Sequence, residues 1–297
     1  MTSDHPPVCD YDGSDYQTTF WDQSDRQYED LVEAIALKRL LPPGGKILLE
    51  LGAGAGRNTS RYHQFDRIVL LDYSITQLKL AQERLGKSNR YLYVAGDVYR
   101  LPFSPGSFEA ATMIRTFHHM ADPQRALMEI RNVIQPGGVF ILEYANKRNL
   151  KAIARFLLRK QSWNPFSPEP VEFATLNFDF HPKTVERWLQ SNGFIIKKRL
   201  TVSHFRLALL KRLFPLKVLV GLDSLAQWTG NWWQLTPSVF VLAIPEGEPS
   251  PVNSSGIFHC PECRRSHLEE RQDIVLCPVC QCTWAIHDGI YNFRAAF

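Results

Sequence analysis

The chain has 297 residues, 44% of them hydrophobic and 22% charged, with 17 Gly and 19 Pro. These proportions suit a large globular domain with a small appendage and exclude a collagenous or wholly disordered chain. No stretch approaches the ~20 apolar residues of a transmembrane helix, and the polar start MTSDHPPVCDYDGSD lacks an apolar signal region, so a cytoplasmic protein is expected.

The formal net charge of +4 is unevenly spread. Residues 147–217 carry 15 Lys+Arg against 4 Asp+Glu, so the remainder of the chain is acidic. A basic segment on an acidic protein points to an anionic partner (RNA, a lipid surface or a small anion), or else to a solvated helix face.

In chain order, the apolar period predicts a helix from Tyr28 to Leu41, ended by Pro42-Pro43-Gly44-Gly45. Lys46–Leu51 (KILLEL) reads as a buried strand; a glycine-rich turn and a helix follow it, then a second strand over Arg67–Asp72. Ser74 can cap the next helix, to about Leu85, with Gln77 placed for a capping box. Arg90–Ala95, Ala110–Ile114 and Val139–Tyr144 read as strands, with an amphipathic helix at Pro123–Ile134 stopped by Pro136-Gly137-Gly138. This alternation predicts a parallel sheet covered by helices on both faces.

Beyond Tyr144 the pattern changes. Leu150, Ile153, Ala154, Leu157 and Leu158 form a helical stripe, with Lys151, Arg155 and Arg159 off it. Residues 162–179 read as a loop, 182–191 as a helix, 194–202 as a strand, and 205–228 as apolar helix broken near Pro215. Ser238–Ile244 is a last buried strand. The expected division is a main domain over 1–244 with an insert at about 147–235, a linker over 245–256, and a separate module over 257–297.

Glu50-Leu-Gly-Ala-Gly-Ala-Gly-Arg57 follows a strand, where Gly52, Gly54 and Gly56 allow a tight turn and close ligand approach. It is not the G-x-G-x-x-G of dinucleotide sites, because position 57 is Arg. Asp72, at the end of the next strand, is placed to accept hydrogen bonds from ribose hydroxyls.

Together ELGAGAGR, LLDYS, GDVYRLPF and QPGGVFILEY resemble the class I S-adenosylmethionine methyltransferases, most of all the ubiquinone/menaquinone branch, over roughly residues 28–244. The resemblance implies a Rossmann-like α/β fold whose seven-stranded sheet has helices on both faces and an antiparallel last strand, supplied by Ser238–Ile244. It implies that Gly52, Gly54 and Gly56 pass beneath the amino acid part of the cofactor, beside Glu50. It further puts Asp72 on the ribose, Tyr73 and Asp97 at the adenine with the Val98 backbone, and Arg115 on the methionine side. S-adenosylhomocysteine would be the product. His118 or His119, after the fourth strand, is a candidate proton acceptor, and Tyr28 and Trp21 could close over the cofactor. No N/D-P-P-Y/F tetrapeptide follows that strand, which argues against amino methylation of nucleic-acid bases.

Five of the six cysteines lie between positions 260 and 282. Cys260-x2-Cys263, 13 residues, then Cys277-x2-Cys280 gives two knuckles that aim four thiolates at one zinc ion. Cys282 could replace Cys280 or be a spare thiol; His259, His267 and His287 are weaker ligand candidates. Asp288-Gly289 suits a hairpin turn. This tail resembles the small zinc-ribbon activator of tRNA and release-factor methyltransferases, fused here in cis. The leading acceptor is a small hydrophobic or aromatic metabolite, the alternative is RNA or a translation protein, and a non-catalytic cofactor-binding scaffold is the third reading.

Overall fold

The structure, a computed structural model, describes residues 5–13, 26–247 and 256–297. Its centre is an eleven-stranded sheet. The parallel strands are β1 (Gly45–Leu51), β2 (Phe65–Asp72), β3 (Tyr91–Ala95), β4 (Phe108–Met113) and β5 (Ile134–Ala145). β9 (Ser238–Pro245) lies antiparallel between β5 and β8 (Phe194–Val202), so the expected antiparallel last strand is present. The order β3-β2-β1-β4-β5-β9-β8 supplies seven strands. Four more, β10 (Glu269–Arg271), β11 (Ile274–Leu276), β12 (Thr283–His287) and β13 (Ile290–Asn292), extend the sheet beyond β3. The expected count of seven therefore falls short: β13 pairs in parallel with β3, Ile290 opposite Tyr93, and turns a sheet edge into an interior strand.

Helices cover both faces because β1, β2 and β4 are buried on both. α1 (Gln27–Leu40), α2 (Ile75–Leu85) and α7 (Leu216–Ala226) contribute to one core with Leu48, Ile68 and Leu70. α3 (Pro123–Val133) and α5 (Pro182–Ser191) contribute to the other with Leu49, Val69 and Phe140. Cys260, Cys277, Trp284 and Phe293 belong to this second core, so the cysteine segment is packed into it.

Two local expectations are corrected. No α-helix follows the glycine turn; a three-residue 3-10 turn, Thr59–Arg61, lies there instead, because only thirteen positions separate β1 from β2. Residues 162–179 are not all loop: β6 (Val171–Ala174) and β7 (Asn177–Asp179) form a hairpin whose turn holds Leu176 at φ 52°. Alternation there is too short to announce a strand. β5 also begins earlier than expected and runs through Pro136-Gly137-Gly138, where a register shift against β4 absorbs the irregularity. α4 (Leu150–Leu157) and α6 (Ala208–Leu213) complete the helices, the latter separated from α7 at Pro215 as the sequence suggests.

Candidate functional site

The parallel strands end together at one edge, and the cleft opens there, where an open α/β sheet binds its ligands. Gly52, Gly54, Asp72, Tyr73, Val98, Arg115 and His119 line it, with Gln77, Met113, Thr116 and Met120. Gly52, at φ 66°, is closed on one side: a Cβ there would stand 2.1 Å from Thr116 Oγ1. Gly54, at φ 52°, faces open space, which leaves its backbone free to approach a ligand. Gly56 lies back from the cleft; a Cβ there would meet Leu85 of α2 at 2.8 Å, so this glycine serves packing.

Asp72 accepts from Gly54 N at 2.8 Å and from Ser74 N at 2.9 Å. Burial pushes its carboxyl up to about 6, against those two amides. The bond from Ser74 N also explains Gln77. Ser74 Oγ caps α2 by accepting from Gln77 N at 3.2 Å. The reciprocal half of the capping box does not form, because the Ser74 amide is already held by Asp72. The Gln77 side chain turns instead to the cleft, 3% exposed, and neither Oε1 nor Nε2 has a hydrogen-bond partner among the described residues. A buried amide without partners is costly and marks a place where a polar ligand group belongs. Sequence reading missed Gln77 because its position already had a structural explanation.

Glu50 lines the adjoining recess with Gly54, Asn58 and Arg115, and accepts from Thr59 Oγ1 at 2.5 Å. Burial pushes its carboxyl up to about 7. Arg115, a non-glycine at φ 58°, points its guanidinium at Glu33, with Nε to Oε1 at 2.7 Å, while its backbone N donates to Glu143 at 2.9 Å. Glu33 also binds Arg57, so a buried charge network fixes this wall.

The segment 5–13 reaches the cleft, which no sequence period announced. Val8, Cys9 and Tyr11 line it. His5 Nε2 stands 2.5 Å from Asp97 Oδ2, the group that the resemblance sets at the adenine. Asp12 accepts from Ser74 Oγ at 2.8 Å and Thr76 N at 3.1 Å, and pairs with Arg294 at 2.6 Å. Arg294 also donates to Tyr73 O at 3.2 Å and lies 5.4 Å over the Tyr73 ring, so residues near 294 buttress the cleft.

The two histidines differ. His119 lines the cleft, while His118 sits beside it, ring centroids 4.0 Å apart, and is not part of the lining. His119 Nδ1 lies 2.9 Å from Leu176 O, which can only accept, so Nδ1 carries the proton. Nε2 then accepts from Tyr11 OH at 3.2 Å. Burial holds both imidazoles below their ordinary pKa, and His118 is further disfavoured by His119 and Arg115. Tyr28 does not close over the cleft: it is buried, donates to Asp223 at 2.6 Å and accepts from Phe205 N at 2.9 Å, tying α7 to α1. Trp21 lies outside the described residues.

At the other end of the chain, the ligand atoms of Cys260, Cys263, Cys277 and Cys280 lie within 4.8 Å of one another, close enough to hold one metal ion. The two knuckles repeat each other. Arg264 N donates to Cys260 O and Gln281 N to Cys277 O, each at 2.9 Å, with Arg264 and Gln281 at φ 60° and 61°. Cys260 N donates to Arg265 O just as Cys277 N donates to Cys282 O, so Cys282 stands where the first knuckle has an arginine. Cys282 and the three histidines are not in the cluster. Asp288 and Gly289, at φ 54° and 81°, make the hairpin turn between β12 and β13.

Residues 49–142 match the family described as a methyltransferase domain. A demethylmenaquinone methyltransferase of Clavibacter sepedonicus is 27% identical over 171 residues, 53% of this chain and 69% of that protein. A complex of the Haloferax volcanii Trm112 methyltransferase activator with a candidate methyltransferase superposes at TM-score 0.54 and 16% identity, over 79% of this chain and 96% of that one. An S-adenosylmethionine-dependent methyltransferase from Mesorhizobium loti superposes at TM-score 0.53 and 19% identity, over 72% and 97%. With a domain match that starts inside β1 and ends inside β5, on a sheet of this strand order, the chain is a class I S-adenosylmethionine (SAM)-dependent methyltransferase.

Proposed function

We propose that the enzyme methylates a small hydrophobic or aromatic acceptor through a hydroxyl, enol or activated ring carbon. The observation that carries this is His119, a neutral imidazole with Nδ1 fixed on Leu176 O and Nε2 turned to a hydroxyl, that of Tyr11, beside Met113 and Met120. An acceptor hydroxyl replacing Tyr11 would donate to the same nitrogen, which would take its proton. Bound SAM would supply a sulfonium methyl already activated for in-line displacement. Asp72 and Gln77 would hold its polar groups, Gly54 would admit its backbone-side approach, and Tyr73 would lie on its base. The chain's own work is then orientation and proton removal. Likeness to demethylmenaquinone methyltransferases, which bear an acceptor of this class in their name, supports the reading.

The four cysteines are read as ligands of one structural zinc, since four thiolates in paired knuckles suit that ion. The division into a methyltransferase unit over 1–244, with its insert at 147–235, a linker over 245–256 and a zinc ribbon over 257–297 belongs to the same proposal. A second reading, RNA or a translation protein as acceptor, draws on the ribbon and the likeness to the Trm112 complex.

The test is purified enzyme with methyl-labelled SAM and fractionated extract. Label in the organic phase, lost in His119→Gln while SAM binding survives, is the expected result. Label in RNA or protein would replace the first reading with the second, and SAM binding without any transfer would mean a scaffold.

A further inference from the structure

The residues following β8 expose an apolar surface that nothing among the described residues covers. On α7, Leu219 and Asp223 turn inward, Asp223 onto Tyr28 of α1. Val218, Leu222 and Leu225 therefore fall at i, i+4 and i+7 on an outward stripe, with Leu225 74% exposed. On α6, Leu210 packs toward the core while Leu209 and Leu213 point out, 66% and 65% exposed, next to exposed Phe214. An outer helix face is ordinarily polar, and a contiguous run of exposed aliphatic side chains marks an interaction surface. Arg212 and Lys217 stand exposed within this run. α4 repeats the composition: Leu150 and Leu157 are exposed beside Lys151 and Arg155.

Both surfaces begin at the edge of the sheet where the cleft opens. α4 follows the end of β5, and α6 follows the end of β8, with Ala145 and Val202 both paired to Ser238. Arg206, just before α6, pairs at 3.4 Å with Glu29 of α1, one helical turn from Glu33, which holds Arg115 at the cleft wall.

We propose that the outer faces of α6 and α7, together with α4, dock on the anionic surface of a phospholipid bilayer, with the cleft facing the lipid. The chemistry selects that partner. Leucines enter the acyl boundary while Lys and Arg meet lipid phosphates, the pairing that holds a helix in the interfacial plane. No helix among the described residues is long and apolar enough to cross a membrane, so the contact is peripheral. A second copy fits less well, because a two-fold contact would set Arg212 and Lys217 of one protomer against those of its partner. RNA fits less well too, since single-stranded recognition stacks bases on aromatic rings and this run is mainly leucine. The inference rests on the hydrophobic-acceptor reading only for its purpose, access to an acceptor dissolved in the leaflet.

The experiment is vesicle flotation with the full chain and no SAM or acceptor, so its outcome is independent of the acceptor. The wild type should float with vesicles of phosphatidylglycerol and phosphatidylcholine, and remain behind with phosphatidylcholine alone. Leu209→Asp/Leu213→Asp and Arg212→Glu/Lys217→Glu should each weaken binding by about tenfold or more, with SAM affinity unchanged as the check on folding. Failure of the wild type to float, or flotation insensitive to either double variant, overturns the proposal. So does a dimer in light scattering that Leu209→Asp/Leu213→Asp dissociates, which would give the face to a second copy. RNA binding lost in Arg212→Glu/Lys217→Glu but kept in Leu209→Asp/Leu213→Asp, without flotation, would give it to nucleic acid.

Discussion

Gln77→Met separates a ligand-binding residue from a structural one, because the two roles predict opposite signs. The Gln77 amide is 3% exposed and satisfies nothing among the described residues, whereas its backbone N–H bonds Ser74 Oγ at 3.2 Å and would do so with any side chain. Met preserves length and approximate volume while removing both orphaned polar atoms. An unsatisfied buried polar group costs ~1–3 kcal/mol, so the cofactor-free variant should be more stable by about 1–2 kcal/mol, allowing for a partial water partner. For a chain of this size that is a rise in Tm of roughly 2–6 °C. SAM binding should move the other way. Losing a hydrogen bond at a desolvated ligand group should cost about 1–2 kcal/mol, a five- to thirtyfold increase in Kd. Scanning fluorimetry with and without SAM reads the first effect, and isothermal titration calorimetry the second. A lower cofactor-free Tm together with an unchanged Kd would refute the reasoning and make Gln77 an ordinary support of α2.

The cofactor affinity should also depend on pH through Asp72, whose carboxyl burial raises to about 6. The folded pKa exceeds the unfolded 3.8, so this group's contribution to fold stability is largest below 3.8 and is lost as pH rises toward 6. On the proposed role of Asp72 at the ribose, binding needs the ionised form and runs opposite: Kd should rise by up to about tenfold per pH unit below 6, a limb that Asp72→Asn should flatten while Glu50, at about 7, continues to titrate. Arg294→Ala should release Asp12 and Tyr73 and weaken SAM by about 1 kcal/mol, roughly fivefold, an effect reproduced in the wild type by high salt if the pair with Asp12 carries it. Cys260→Ser/Cys263→Ser should lose the zinc measured by elemental analysis; zinc retained would sink the ligand assignment.

What the sequence made legible was chemistry that neighbours in the chain complete by themselves. Three glycines at positive φ between a strand and Asp72 need no distant partner to be recognised, nor do two Cys-x2-Cys knuckles that close on their own carbonyls. What it concealed depends on pairing across the chain. β13 has three residues and no usable period, and it becomes a sheet strand only because β3, some two hundred positions earlier, offers an open edge. Gln77 concealed its cleft-facing amide behind a capping-box position, and the competition for Ser74 N became visible only once Asp72 was seen to hold it. Tyr28 read as a lid because it precedes the sheet, yet Asp223 claims it.

The same distinction bears on why the cysteine ribbon sits where it does. Phe293 N donates to Ala95 O at 2.7 Å, and the next residue, Arg294, reaches Asp12 and Tyr73. Arg264, the residue that closes the first knuckle, holds Glu129 of α3 with both nitrogens at 2.8 and 2.9 Å. Order in the ribbon is thereby transmitted to two places: the strand β3 that leads to Asp97, and the side of the cleft built by Tyr73. Without a metal in the knuckles, β13, a strand of three residues, should loosen on β3, and Arg294 with it. The Cys260→Ser/Cys263→Ser variant should then lose SAM affinity by at least as much as Arg294→Ala does, because it removes that contact and the strand beneath it. Full SAM affinity in zinc-free protein would show that the cleft is built by the parallel strands alone and that the ribbon serves something other than cofactor binding.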